Sequence, residues 1–461
     1  MSFAPSYPNH RPPSRLVTAT TTTPTWIWML GAFAVLIVMQ GALRKWFLPG
    51  LSTPLYVAKD IALIGALVPF MWRYGFHFPD VTRKSLLPTL LGAFTFVVLL
   101  QAFNFNVPSA IVGILGVKSY LLYTILLFLL PVVLERVEKP ERLVTGVVVA
   151  VVPVLLLGFY QYSQPVDAWI NQYVSEDMTE VAVMSRPRIT GTFSYIGGMG
   201  AFLSFSMFLG LAIVLAGFRH GHRWYQLLGA GLLGLALVVA PMNGSRSVVL
   251  GFLVPLPFVF FAVVRGLRAG AVLAGLSVLL VVGGYVATET EWATQGWDVI
   301  EHRMENASDR DTRVQGMFAD PIRKLTVGGV LGYGAGSTHQ AAGALSSTGR
   351  IQIPGVYYEG ELGRVIIELG IIGALLFLAL KAWLAWAAWQ FMRRAETAWM
   401  VVLSVLSFSF LFLNLAVGMI VFNHIAGALY WICAGCAVWG WSRQEQARLY
   451  SSAHRPTSAS L

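Results

Sequence analysis

The chain has 461 residues, of which 56% are hydrophobic and 12% charged, and its formal net charge is +10. A soluble domain carries about one-quarter charged residues, so this composition excludes a soluble fold. The positive balance is not a nucleic-acid footprint either, because the arginines and lysines fall in short clusters between apolar runs, where membrane orientation accounts for them.

Residues 1–24, with Arg11, Arg15, several prolines and the Thr/Pro run from Thr18 to Thr25, lack a small-residue cleavage site after a short apolar core. They read as a disordered cytoplasmic tail. Bilayer-crossing apolar runs then follow near 25–43, 54–72, 86–104, 117–134, 143–162, 196–216, 225–242, 247–264, 270–288, 361–389, 399–422 and 424–441. The expected fold is therefore an all-α polytopic membrane protein with about twelve transmembrane helices in one domain, 25–442, followed by a second cytoplasmic tail, 443–461. Arg73, Arg83 and Lys84, then Arg136, Lys139 and Arg142, then Arg219 with Arg223, Arg265 with Arg268, and Arg393 with Arg394 all fall on one face, joined by Arg443, Arg448 and Arg455. The positive-inside rule makes that face cytoplasmic and puts both termini there. The long connections 163–195 and 289–360, the second between spans nine and ten, belong to the opposite, non-cytoplasmic face and have to fold over the bundle. Cys433 and Cys436, inside an apolar helical pattern, read as buried small residues. Gly229, Gly231 and Gly234 in span seven read as close-packing positions.

A second set of arginines lies on the outer side, where no orientation rule asks for them: Arg186, Arg188, Arg246, Arg303, Arg310, Arg313, Arg323 and Arg364. A lone arginine at a helix end snorkels to the headgroups. Several converging on one face suit a phosphorylated, lipid-borne substrate, because the planar, always-ionised guanidinium matches phosphate. Glu361, Arg364 and Glu368 share a helical face at i, i+3, i+7 spacing, as an internal ion pair or as catalytic groups. Glu359 precedes that helix without a partner at helical spacing and reads as a general base or as an acid favoured by the helix dipole. His339 and His424 are outer-face histidines in no metal spacing, so neither a metal nor another cofactor is expected. The run Gly328 to Gly336 follows no strand, lacks Gly-Lys-Ser/Thr, and reads as a tight packed loop. Adjacent Lys59 and Asp60 in span two are an ion relay or a local structural pair.

Four segments resemble the O-antigen ligase and O-antigen polymerase superfamily of bacterial polysaccharide enzymes. They are Arg188-Ile189-Thr190-Gly191-Thr192-Phe193, Asn243-Gly244-Ser245-Arg246-Ser247, Gly328 to Gly336, and Glu368-Leu369-Gly370-Ile371-Ile372-Gly373, and the likeness runs from about Arg186 to Leu378. The resemblance implies an enzyme of the bacterial inner membrane that transfers a glycan from a polyprenyl pyrophosphate to an acceptor hydroxyl on the periplasmic face. Membrane lipids and other polysaccharide-assembly proteins are the implied partners. Arg188, Arg246 and Glu359 are then catalytic, and Arg186, Arg313, Arg364 and His339 bind substrate. Relatives carry a His-Asn pair nine residues before the Glu of the Glu-Leu-Gly segment, where this chain has Glu359-Gly360. The base is then Glu359, or His339 from earlier in the loop, or the chain uses a different acceptor and chemistry, and the substitution favours a polymerase of another exported glycan over a ligase proper. A transporter or flippase of lipid-linked oligosaccharide is the reading from another class.

Overall fold

The computed structural model describes residues 23–76, 78–174, 182–183, 186–263, 321–345, 360–416 and 418–453. Its helices are α1 (Thr25–Ala42), α2 (Ser52–Tyr74), α3 (Asp80–Arg83), α4 (Leu87–Ala102), α5 (Ala110–Leu121), α6 (Leu126–Glu135), α7 (Pro140–Ser163), α8 (Ile196–His220), α9 (Arg223–Val239), α10 (Arg246–Leu253), α11 (Leu256–Val263), α12 (321–328), α13 (Glu361–Arg393), α14 (Ala398–Ala416) and α15 (His424–Ala453). Among the described residues ten helical runs are long and apolar enough to cross a membrane, with α5–α6 and α10–α11 each counting as one. The fold is that of an all-α, multi-pass membrane protein. The expected span 270–288 lies outside the described residues. The expected third span shortens to the 16 residues of α4, about 24 Å against a hydrocarbon core of about 30 Å. The expected tail from 443 begins as helix, because α15 continues to Ala453.

Helices α8 and α15 are the most buried of these runs, each with 89% of its apolar window inside the bundle. Small residues let α9 lie against α8. A Cβ on Gly210 would sit 2.7 Å from Leu233 N, and one on Gly229 would sit 2.5 Å from Val214 N. Gly229 thus serves close packing as expected, whereas Gly231 and Gly234 face open space.

Contacts between turns sort the helix ends into two groups. At the near end, Arg136 bonds Tyr74, Thr82 bonds Ser442, Trp439 bonds Glu135, and Arg394 pairs with Glu445. Most of the arginines read as orientation signals collect there. At the far end, Lys45 bonds Thr190, Arg44 bonds Ser194, Ile189 bonds Met242, and Asn104 bonds Gly332.

The largest departure from expectation is α13, which is not one straight span. Gly370 inside it has φ 68° and ψ −174°, and Lys381 Nζ lies 3.0 Å from Glu361 Oε2. In a continuous helix those residues would be about 30 Å apart. The chain therefore doubles back at Gly370, with 361–369 running antiparallel to 371–393. The reversal frees main-chain groups in an apolar setting, where an unsatisfied peptide group costs several kcal/mol. The glycine run meets that need: Tyr333 N–H and Gly334 N–H donate to Ile367 O and Glu368 O at 2.7 and 2.9 Å, and Ile371 N–H donates to Gly329 O at 3.1 Å. A tight packed loop is what the structure shows there. Contact this close requires absent side chains, since a Cβ on Gly370 would sit 2.1 Å from Val330 O.

Gly370→Ala is therefore expected to destabilise the protein by about 1–3 kcal/mol from backbone strain alone, before the clash is counted. Thermal denaturation in detergent checks this, with Gly146→Ala, where the added methyl meets nothing within 4 Å, expected to be neutral or slightly stabilising.

Candidate functional site at the far end of the bundle

The far ends of the helices stand at different heights. Phe391 and Trp439 pack together near the other end at 6.2 Å. From that level, helix α13 climbs twenty residues to Ile371, about 30 Å, whereas α15 climbs fifteen to His424, about 22 Å. His424 thus lies roughly 8 Å below the Gly370 reversal.

One wall is built by Arg188 and the turn 240–246. After the two-residue strands β1 (Ala182–Val183) and β2 (Arg186–Pro187), the buried Arg188 donates from Nε to Asn243 O at 3.2 Å. It lies across Gly244, where a Cβ would sit 3.0 Å from Nε. Asn243 in turn donates from its side chain to Ile189 O and Ile196 O at 3.0 and 3.1 Å, and Tyr173 donates to Arg188 O at 3.0 Å. Two of the motif segments are thus locked together. Arg246 follows directly as the first residue of α10 and is half-buried. A cation at a helix N-terminus opposes the macrodipole, at a cost of about 0.3–1 kcal/mol. Arg186 stays partly exposed on β2.

The second wall is the glycine loop and the 361–369 half-helix. Buried Glu368 accepts from Gly336 N–H at 3.0 Å, Thr338 N–H at 2.9 Å and Thr338 Oγ1–H at 2.5 Å. Arg364 donates from Nε to Thr338 Oγ1 at 3.2 Å and from Nη2 to Thr338 O at 2.6 Å, and its guanidinium stacks 3.6 Å from the Phe422 ring centroid. Glu361 pairs with Lys381 at 3.0 Å and accepts Val421 N–H at 2.8 Å. The shared-face ion pair expected from spacing is thus redistributed: Glu361 closes the helical hairpin and Glu368 holds the loop. His339 is half-buried at the end of this loop, and its Nδ1 accepts from Ala341 N–H at 3.1 Å. The neutral ring therefore carries its proton on Nε2, as a hydrogen-bond donor. Burial first, then the Lys118 and Arg364 charges, hold its pKa below the ordinary 6.5.

A further cluster, drawn from the end of α1 and from α2, α5 and α15, only partly follows from the sequence reading. Asp60 is flanked by Lys118 Nζ at 2.7 Å and Lys59 Nζ at 3.6 Å, and accepts Tyr123 OH at 3.3 Å. Lys59 also donates to Tyr56 O at 2.7 Å. The Tyr56 hydroxyl meets His424 Nε2, and its ring is approached by Lys59, Lys118 and Arg44 at 4.4, 4.5 and 5.4 Å. Lys59 and Asp60 are thus part of one multi-helix network. Arg44, Lys45 and Lys118 escaped notice, although the rule that singled out Arg188 applies to them, since all three stand toward the end of the bundle where no orientation signal is needed.

Glu359, Arg303, Arg310 and Arg313 lie outside the described residues, Glu359 adjoining the described Gly360 that precedes the half-helix. Among the described residues no three His, Cys, Asp or Glu side chains converge as a metal-ligand set. A cavity of about 580 Å³ opens at the near end, lined by Glu135, Glu138, His220, Tyr225 and Trp439 among others, and its lining includes none of the candidate site residues. Compared with known protein families and with curated proteins, the sequence matches none.

Two outcomes are expected. Ser337, 3% exposed beside the Glu368 contacts, should resist thiol labelling as Ser337→Cys and become reactive when Glu368→Ala is added, because the loop loses its acceptor; unchanged protection would remove Glu368's anchoring task. The lowered His339 pKa means that the unfolded chain binds a proton more readily than the folded one. Stability from this group is complete above the unfolded value near 6.5 and falls as pH drops toward the folded value. Melting temperature followed against pH should therefore decline less below pH 6.5 in His339→Gln.

Proposed function

We propose that this protein is a metal-independent membrane glycosyltransferase, which polymerises or transfers a polyprenyl-pyrophosphate-linked glycan onto an acceptor hydroxyl at the periplasmic face of a bacterial inner membrane. The observation that carries the reading is the locking of Arg188 onto the Asn243–Arg246 turn, 55 residues away in sequence. Two segments chosen for their likeness to polysaccharide polymerases and ligases are thereby held side by side.

In the proposed reaction the acceptor oxygen attacks the anomeric carbon, the bond from that carbon to the pyrophosphate oxygen breaks, and the polyprenyl pyrophosphate departs with the electron pair. The charge that develops is stabilised by preorganised guanidinium groups, those of Arg188 and Arg246, with Arg186, Arg313 and Arg364 contacting substrate. The acceptor proton passes to Glu359 as general base. His339 suits donation rather than acceptance, because its Nδ1 is already taken by Ala341 N–H, so it orients substrate through Nε2–H.

A broken helix beside the site is also a transporter's device, and α13 is broken at Gly370. Purified protein given polyprenyl-pyrophosphate oligosaccharide separates the two readings. A transferase lengthens or moves the glycan; a transporter leaves it unaltered. Arg246→Ala is expected to abolish turnover with expression retained. Glu359→Gln is expected to lower kcat by about 10²–10⁴-fold with little change in KM, and His339→Gln to raise KM more than it lowers kcat. Full activity of Glu359→Gln would take the base assignment away from that residue.

A further inference from the structure

We propose that Arg44, Lys59 and Lys118, arranged around Tyr56, form a second anion site that takes a phosphate group, separate from the arginines assigned to the departing pyrophosphate. The case rests on charge balance and stands apart from the glycosyl-transfer reading. Three cations approach the Tyr56 ring within 5.4 Å, and Asp60 is the one carboxylate paired with them among the described residues. Three positive charges against one negative leave an excess of two. Arg44 is held by neutral groups only, donating to Ser52 Oγ at 2.9 Å and Ser194 Oγ at 3.1 Å.

Uncompensated charge among transmembrane helices is costly and marks function. The cost is met when a counter-anion enters, and an excess of two matches a phosphate monoester dianion or a diphosphate better than a carboxylate. The site is also reachable. Arg44, Tyr56, Lys118 and His424 are each partly exposed, Lys118 by 18% of its side chain, over a floor of Lys59 and Asp60 that are 1% and 4% exposed. Donors are present in suitable variety: a guanidinium fork, an ammonium and the Tyr56–His424 hydrogen-bonded pair. The local backbone is specialised too, because Arg44 belongs to the π-helical turn Leu43–Phe47 that ends α1, a distortion frequent at functional sites. The segment holding Arg44 through Ser194 continues back to Arg188, so the two anion sites stand at opposite ends of one stretch of chain. Two such sites fit a transfer in which donor and acceptor each carry a phosphate.

The test uses the full chain in detergent carrying Arg246→Ala, so that the proposed catalytic arginine does not report. Inorganic pyrophosphate is titrated by calorimetry, and polyprenyl monophosphate in mixed micelles is titrated as competitor. Pyrophosphate is expected to bind, and Arg44→Gln to weaken it about tenfold or more, the equivalent of ~1.4 kcal/mol. Arg44→Gln strands no buried acid, so its fold is expected to survive, as thermal melting checks. Lys118→Gln should weaken binding similarly; if losing Asp60's partner unfolds that variant, Arg44→Gln decides. Tighter binding of the lipid phosphate assigns the site to a membrane-borne ligand, and tighter binding of pyrophosphate assigns it to a soluble one. Affinity unchanged by Arg44→Gln, or binding of neither probe, overturns the site. Binding that depends on Arg44, together with wild-type protein that transfers no glycan, keeps the site and removes the glycosyl-transfer reading.

Discussion

Everything at the far end depends on the main-chain accounting at Gly370. A helix that reverses inside an apolar bundle exposes carbonyl and amide groups with no water to receive them. The chain solves this by pressing a second irregular segment against the first, so that Tyr333, Gly334 and Gly329 complete the hydrogen bonds that the break leaves open. Neither segment is tolerable alone. Because the two must approach backbone to backbone, the run is rich in glycine, and a side chain at Gly332 would collide with Gly370 N at 2.5 Å. The reversal also brings Glu361 beside Lys381, neutralising two charges that would otherwise be buried alone at a cost of several kcal/mol.

From that constraint follows the distribution of charge. Glu361 and Glu368 are spent on structure, one closing the hairpin and the other holding the Gly336–Thr338 turn. Arg188 and Arg364 donate to backbone carbonyls and to the Thr338 hydroxyl, which fix the guanidinium groups in place. Preorganised positive charge of this kind is what a departing anion requires, since its orientation cost is met during folding and not during reaction.

The residues legible in advance were those whose chemistry is anomalous for their place. Arg188 and Arg246 stood out because arginine is costly at an apolar helix end, and the structure locks their two segments together. Arg44 and Lys118 obey the same logic but sit within or at the edge of apolar runs, where one charge is easily absorbed into a span; only their convergence on Tyr56 gives them meaning. The helical spacing of Glu361, Arg364 and Glu368 misled for a different reason. Periodicity reports which side of a helix residues share, and says nothing of partners brought in from Lys381 or Thr338.

Composition and hydropathy by themselves determined that this chain is a bundle of membrane-crossing helices, because burial of apolar side chains in lipid is a local, additive property readable residue by residue. They also marked the short basic loops, which the folded chain largely gathers at one end, through Arg136, Arg394 and their contacts. The tertiary structure alone decided that the last long apolar run but two is a hairpin, that Lys59 and Asp60 join Lys118 across helices, and that Glu361 and Glu368 are structural. The reason is that a positive-φ reversal at Gly370, like every pairing of distant charges, is paid for by contacts from elsewhere in the chain, and a linear sequence carries no record of which residues will be near enough to make them.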